Sequence, residues 1–205
     1  MAITDPLASV DDYIGVRGDV QDKNVLLRQL RACSRLYEKE TKQFYTKDAA
    51  AVARVWVAKY VDYLDLWGTR DGCPGLATSS GLIIKEDSAN DGTYATTWSN
   101  SDVEMLPRGA NLGTEPKPWD RLSIPPWSTR SFTPGRRYQV TGVYGYPEVP
   151  AGAIEDVIEL CAIWRTDSPL SLGNAQDLDT TVNTSPLMMS LVRRLRDSHR
   201  GKVTF

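Results

Sequence analysis

Residues 22–46 read DKNVLLRQLRACSRLYEKETKQFYT, and the fold is decided by how that stretch is read. Leu26, Leu30, Cys33, Tyr37 and Phe44 recur at steps of three, four or seven, which puts them on one stripe of a helix roughly 35 Å long at about 1.5 Å per residue. Arg28, Arg31, Arg35, Lys39 and Lys42 fall on the opposite side, where a solvated face or an acidic neighbouring subunit would suit them. An apolar stripe of this kind needs a cover.

The cover is expected about a hundred residues later. After Pro147-Glu148-Val149-Pro150, where Pro150 suits a first helical turn, Ile154, Val157, Ile158, Cys161 and Trp164 follow with helical spacing. Upstream, Ser9 to Ile14 predicts a short helix with Ser9 as N-cap, Asp12 at the positive end of its dipole and Gly15 as its stop. These segments define an expected helical core of residues 1–49 and 146–167, with the ten stripe residues above as its packing surface.

Between them the periodicity changes. Residues 50–145 carry short β-type runs, Val52 to Val57, Val61 to Trp67, Leu82 to Lys85, Tyr94 to Trp98, Val103 to Leu106, Arg121 to Ile124 and Arg137 to Tyr144, separated by turn signals such as Asn90-Asp91-Gly92 and Pro134-Gly135. This predicts a β-rich insertion. The proline-rich portion from Gly113 to Pro126 is expected to form an exposed loop rather than a central strand. The expected fold class is therefore α+β: a helical-bundle core of a short N-terminal helix and two long packed helices, a large β-rich insertion, and an extended C-terminal arm ending in a short helix.

That arm occupies residues 168–205. Asp167 to Ser185 is rich in Ser, Thr, Asn, Asp and Gly and reads as an extended linker. Pro186 to Arg200 can form a helix with Leu187, Leu191 and Leu195, possible company from Met188, and interleaved arginines. From Pro186 onward five basic residues (Arg193, Arg194, Arg196, Arg200, Lys202) face one acid, Asp197, so this segment carries +4 and the rest of a −2 chain carries −6. A helix this short is marginal alone in water and needs a partner; an apolar groove with an acidic rim serves better than a membrane surface.

Enzymatic chemistry finds little to build on. The 205 residues contain one histidine, His199, in the basic tail, and three separated cysteines, Cys33, Cys73 and Cys161, with no CxxC pair, so neither a zinc cluster nor a nucleophilic triad is expected. Cys73 lies in the turn Asp71-Gly72-Cys73-Pro74-Gly75, where only Arg70 could lower its pKa. Glycine-rich phosphate loops are absent from the ends of the candidate strands. Carboxylate pairs such as Asp62 with Asp65, or Glu86 with Asp87, read as ordinary solvated surface. Five of the six tryptophans fall in the β-rich part, where filling a core competes with a sugar-binding platform. No catalytic, cofactor or metal residue is expected. A net charge of −2 offers nucleic acid no overall attraction, and the opening Met-Ala-Ile-Thr-Asp-Pro is unlike a signal peptide, so synthesis in the cytoplasm without membrane association is expected.

Two stretches resemble a known family. Val10-Asp11-Asp12-Tyr13-Ile14-Gly15 with Leu26-Leu27, Leu30, Ala32-Cys33-Ser34, Leu36, Thr41 and Phe44 is similar to the opening pattern of the head-to-tail adaptor, or connector, proteins of long-tailed bacteriophages. Val140-Thr141-Gly142-Val143-Tyr144-Gly145-Tyr146-Pro147-Glu148-Val149-Pro150, followed by a helix ending near Arg165-Thr166-Asp167-Ser168-Pro169, resembles the strand, turn and helix of adaptors from actinobacteriophages. The resemblance covers roughly 80 residues. It implies a structural virion protein of the neck, a ring usually of twelve copies docked beneath the portal protein, bound below by a stopper or tail protein, with viral DNA passing through unbound. The arm then docks on the portal through Leu187, Leu191, Arg193, Arg194, Leu195 and Arg196. The helices Asp22 to Thr46 and Pro150 to Asp167 would pack as a wedge, neighbouring wedges closing the ring, and Glu86, Asp87 and Asp91 could line a lumen that does not hold DNA. The alternatives are another neck component, a stopper or tail terminator, and a carbohydrate-binding module of a virion.

Overall fold

The computed structural model describes residues 6–18, 22–67, 74–110, 116–167 and 186–200. The chain divides into two compact units, one made of residues 1–43 and 149–205 and the other of residues 44–148.

The first unit is helical. Helix α1, Val10–Arg17, opens on a capping box in which the Ser9 hydroxyl accepts from the Asp12 N–H and the Asp12 carboxylate accepts from the Ser9 N–H. Gly15 lies inside this helix rather than ending it; the stop is Gly18, whose φ of 90° suits a residue without Cβ. Helix α2, Lys23–Thr41, is capped by Asp22, whose carboxylate accepts from the N–H groups of Asn24 and Val25. It ends because Lys42 turns left-handed at φ 55°. The expected continuation to Thr46 is therefore corrected: Phe44 keeps the heptad spacing but lies beyond the helix, 38% exposed. Helices α3, Ala151–Asp167, and α4, Pro186–Arg200, complete the unit.

α2 packs on α3, and both α1 and α4 touch that pair. Leu26, Leu30, Cys33 and Tyr37 of α2 and Val157, Ile158, Cys161 and Trp164 of α3 are buried, with Tyr13 of α1 beside them; Ile154 is half-buried.

The second unit is built from two antiparallel sheets. Strands β1 (Val52–Val57), β7 (Arg137–Gly142), β3 (Ile83–Glu86) and β4 (Thr96–Trp98) form one, in the order β1-β7-β3-β4. Strands β2 (Tyr63–Asp65), β6 (Arg121–Ser123) and β5 (Glu104–Leu106) form the other, in the order β2-β6-β5. Trp56, Ile84, Trp98, Tyr138 and Val140 of the first sheet share one core with Leu64 and Leu122 of the second and with Leu66, Leu76 and Phe132 from the connections. Gly75 and Gly145 are sharp points of that framework. At each φ is near 120°, and a Cβ would strike backbone, of Trp119 and Asp120 at Gly75 and of Thr46 and Lys47 at Gly145.

Two expectations are overturned here. The α+β class does not take the form of a helical bundle with two long helices: among the described residues seven strands in two antiparallel sheets stand beside four short helices of 8, 19, 17 and 15 residues. Short strands claim the middle of the chain, and a left-handed Lys42 shortens the helix that was to dominate. The stretch to Pro126 is also not simply a loop, since β6 is the central strand of its sheet. Its prolines, Pro116, Pro118, Pro125 and Pro126, flank Arg121–Ser123 without interrupting it. Residues 168–185, the predicted linker, and the turn holding Arg70 and Cys73 lie outside the described residues.

Candidate functional site

The six residues expected to dock on a partner all belong to α4, and the fold separates them. Leu191 and its neighbour Val192 are buried, on a helix that touches α2 and α3. Arg194 reaches Glu159 of α3 at 2.6 Å, an exposed pair worth little in energy. Leu187 is 62% exposed and Arg193 is exposed, so these two remain available to another molecule. The side chains of Leu195 and Arg196 lie outside the described residues. The helix is thus a seated element rather than a free arm, and among its described side chains Leu187 and Arg193 are turned outward. Glu159 was missed in the sequence because its partner is 35 residues away, with no periodicity to connect them.

Within the helical unit the polar groups serve packing. Arg165 of α3 donates to the Gln29 side chain of α2 at 2.5 Å. The Cys33 thiol has its pKa pushed well above the ordinary range, first by complete burial and then by its hydrogen bond with the Cys161 thiol. A protonated, buried thiol is a poor nucleophile, so this pair is packing material as it stands. Burial likewise raises the Tyr13 hydroxyl.

The sheet unit corrects the reading of its carboxylates. Glu86 and Asp87 are buried rather than solvated. Glu86 is ion-paired with Arg136 and accepts from the Trp98 indole N–H at 3.0 Å. Asp87 accepts from the N–H groups of Asp91 and Gly92 at 3.0 and 2.9 Å, closing the Asn90-Asp91-Gly92 turn. Neither can line a lumen; Asp91 alone of that trio is exposed, its carboxyl held below the usual range by hydrogen bonds from Thr93. Asp65, of the other carboxylate pair, meets Arg121 across the strands at 3.1 Å. Glu86, Asp87 and Asp65 are thus engaged in contacts within their own unit.

The tryptophans divide similarly. Trp56 and Trp98 are buried in the core and Trp119 packs against it, whereas Trp127 is 72% exposed and Trp67 partly so. Trp98 stacks on Phe132 at 5.0 Å between ring centres, so its face is already occupied and offers no platform to a sugar. Among the described residues no His, Cys, Asp or Glu cluster could hold a metal ion, and no helix is long and apolar enough to cross a membrane.

The surface that sequence reasoning missed is the outer side of β1. Val55 and Val57 are 46% and 56% exposed on an edge strand, and Ile83 of β3 is exposed on the same face of the sheet. The signal was present in VARVWV, which is apolar on both faces, whereas a half-exposed strand ordinarily alternates apolar with polar. Comparison with family models, with curated proteins and with solved structures gives no match to this chain.

Proposed function

We propose that this chain is a structural virion protein, a head-to-tail adaptor whose copies form a ring below the portal, join the capsid to the tail and leave a channel for the genome. One observation carries the reading: α4 is anchored by Leu191, Val192 and Arg194 and turns Leu187 and Arg193 outward. An apolar residue and a cation presented on a seated helix suit an acidic-rimmed groove, the leucine giving affinity and the arginine orientation. The two stretches that resemble phage adaptors lend support, since they comprise α1 and α2 on one side and the end of β7, the Gly145 turn and α3 on the other. Viral DNA then passes by a protein with no net attraction for it.

Removing everything from Ser185 onward is a poor test, because it would uncover the surface that Leu191 and Val192 bury. The combined variant Leu187→Asp with Arg193→Glu changes exposed side chains only, and its stability should stay within about 0.5 kcal/mol of the parent. It should no longer decorate portal-bearing heads. Undiminished head binding by this variant, or cryo-electron microscopy of the neck with no copy of the chain between portal and tail, would refute the reading.

A further inference from the structure

We propose that the four-stranded sheet is one link in a larger one: the bare edge of β1 in one copy pairs, antiparallel, with the bare edge of β4 in the next copy. The inference rests on the ring reading above and names the contact through which neighbouring copies meet. Among the described residues both strands are the outermost members of their sheet, each with one edge unpaired.

Backbone parity shows which groups are free to pair. The Ala58 N–H donates to the Arg136 carbonyl at 3.0 Å. Bonding pairs alternate along an antiparallel ladder, so Trp56, Arg54 and Val52 turn their N–H and C=O groups toward β7, and those of Val57, Val55 and Ala53 point away from the sheet. On the far side the Asp87 N–H donates to the Arg137 carbonyl at 3.0 Å, which assigns Lys85 and Ile83 to β7 and leaves Glu86 and Ile84 to bond Thr96 and Trp98. Thr97, and Ala95 just before it, then face outward. Each edge therefore presents a short row of backbone donors and acceptors at regular spacing, the template that strand addition uses.

Strand count and charge choose the occupant. The sheet has four antiparallel strands, so β1 and β4 run in opposite directions. A second copy presented in the same sense can place its β1 antiparallel to β4 of the first, and the same contact repeats from copy to copy. This is a heterologous contact, the kind that builds rings, and the twist between neighbouring strands supplies rotation at every step. With Val55 opposite Thr97, Val57 falls opposite Ala95, and the exposed Lys59 arrives opposite Thr93, beside the exposed, ionised Asp91. No like charges meet on the β1 side either, because Arg54 is already paired with Asp48 at 3.1 Å. Val55 and Val57 gain Thr97 and Ala95 as cross-strand neighbours in the process.

The test uses the full chain carrying Val55→Cys together with Thr97→Cys, concentrated, oxidised with diamide and run on a non-reducing gel. A ladder extending beyond dimer is expected from the double variant and from neither single variant, which also controls for the native cysteines. A double variant that stays monomeric overturns the proposal, as does a Val55→Cys single variant that cross-links efficiently to itself, since that would mean two β1 edges pairing about a two-fold axis. Val55→Lys places a charge on the exposed edge and should weaken self-association at least tenfold in sedimentation velocity without moving the melting temperature; unchanged association would also overturn it. A ladder from a protein that is missing from the neck would remove the adaptor reading and leave the strand pairing standing. Presence in the neck without a ladder would remove the strand pairing alone.

Discussion

The two units bury their tryptophans by different means. In the helical unit Trp164 is fully buried beside Cys161 and Val157 on α3, and among the described residues its indole nitrogen has no hydrogen-bond partner; the Nε of Arg31 is in the same condition. In the sheet unit the Trp56 N–H donates to the Tyr144 hydroxyl at 3.2 Å, and that hydroxyl donates on to the Val140 carbonyl at 2.8 Å. Trp98 donates to Glu86, which Arg136 holds in turn. A helix satisfies its own backbone, so its side chains need only fill space. Strands of three to six residues leave long connections to be fastened, and buried polar side chains do the fastening. The sheet core is thereby specified by hydrogen bonds as well as by shape.

The largest expected effect tests the space-filling side of this contrast. Trp164→Ala should cost about 3–5 kcal/mol in urea denaturation, the range for emptying a large buried aromatic site. A loss below about 1 kcal/mol would mean that the helices collapse into the gap and that the helical core is not closely packed. A sharper measurement pairs Trp98→Phe with Trp164→Phe. Both remove the same atoms, but only the first strands a buried carboxylate without one of its donors, so it should be the costlier by about 1–2 kcal/mol. Equal losses would erase the distinction between the two cores.

The smallest effect concerns pH. Tyr146 stacks on Tyr45 at 5.1 Å, and burial, followed by the neighbouring tyrosine, pushes its pKa up to about 12. The native state then holds this proton where the unfolded chain, titrating near pH 10, releases it. The contribution is whole below pH 10 and is lost as pH rises toward 12. Tyr146→Phe should flatten the alkaline limb of the stability profile between those limits, and an unaltered slope would show that the ring titrates freely.

Much of this architecture could be read from periodicity. The short β-type runs expected from the sequence overlap all seven strands, and Val52 to Val57 coincides with β1 at both ends. Local signals failed where the deciding partner was distant or where a backbone angle overrode spacing. Gly15 looked like a stop, yet it has open space around it and an isolated glycine costs a helix only about 1 kcal/mol. Phe44 kept helical register past a left-handed lysine that no pattern announces. Glu86 and Asp87 looked solvated because Arg136 lies 50 residues from Glu86 and the amides that Asp87 receives belong to a turn not yet closed. Of the six proposed docking residues, Leu191 proved to be occupied within its own unit, since a leucine at helical spacing reads the same whether its cover comes from this chain or another.

The helical unit is assembled from two pieces of chain separated by the whole of the sheet unit. On a ribosome, roughly 110 residues must follow the last turn of α2 before the first turn of α3 is made, a delay of about 5–20 s at ~5–20 residues per second. During that interval Leu26, Leu30 and Cys33 lack the cover that α3 supplies, while the sheet unit, being continuous, can finish. Newly made chains should therefore need chaperone protection of the α2 stripe, and slowing translation within residues 44–148 should lower the yield of soluble protein more than slowing it after residue 167.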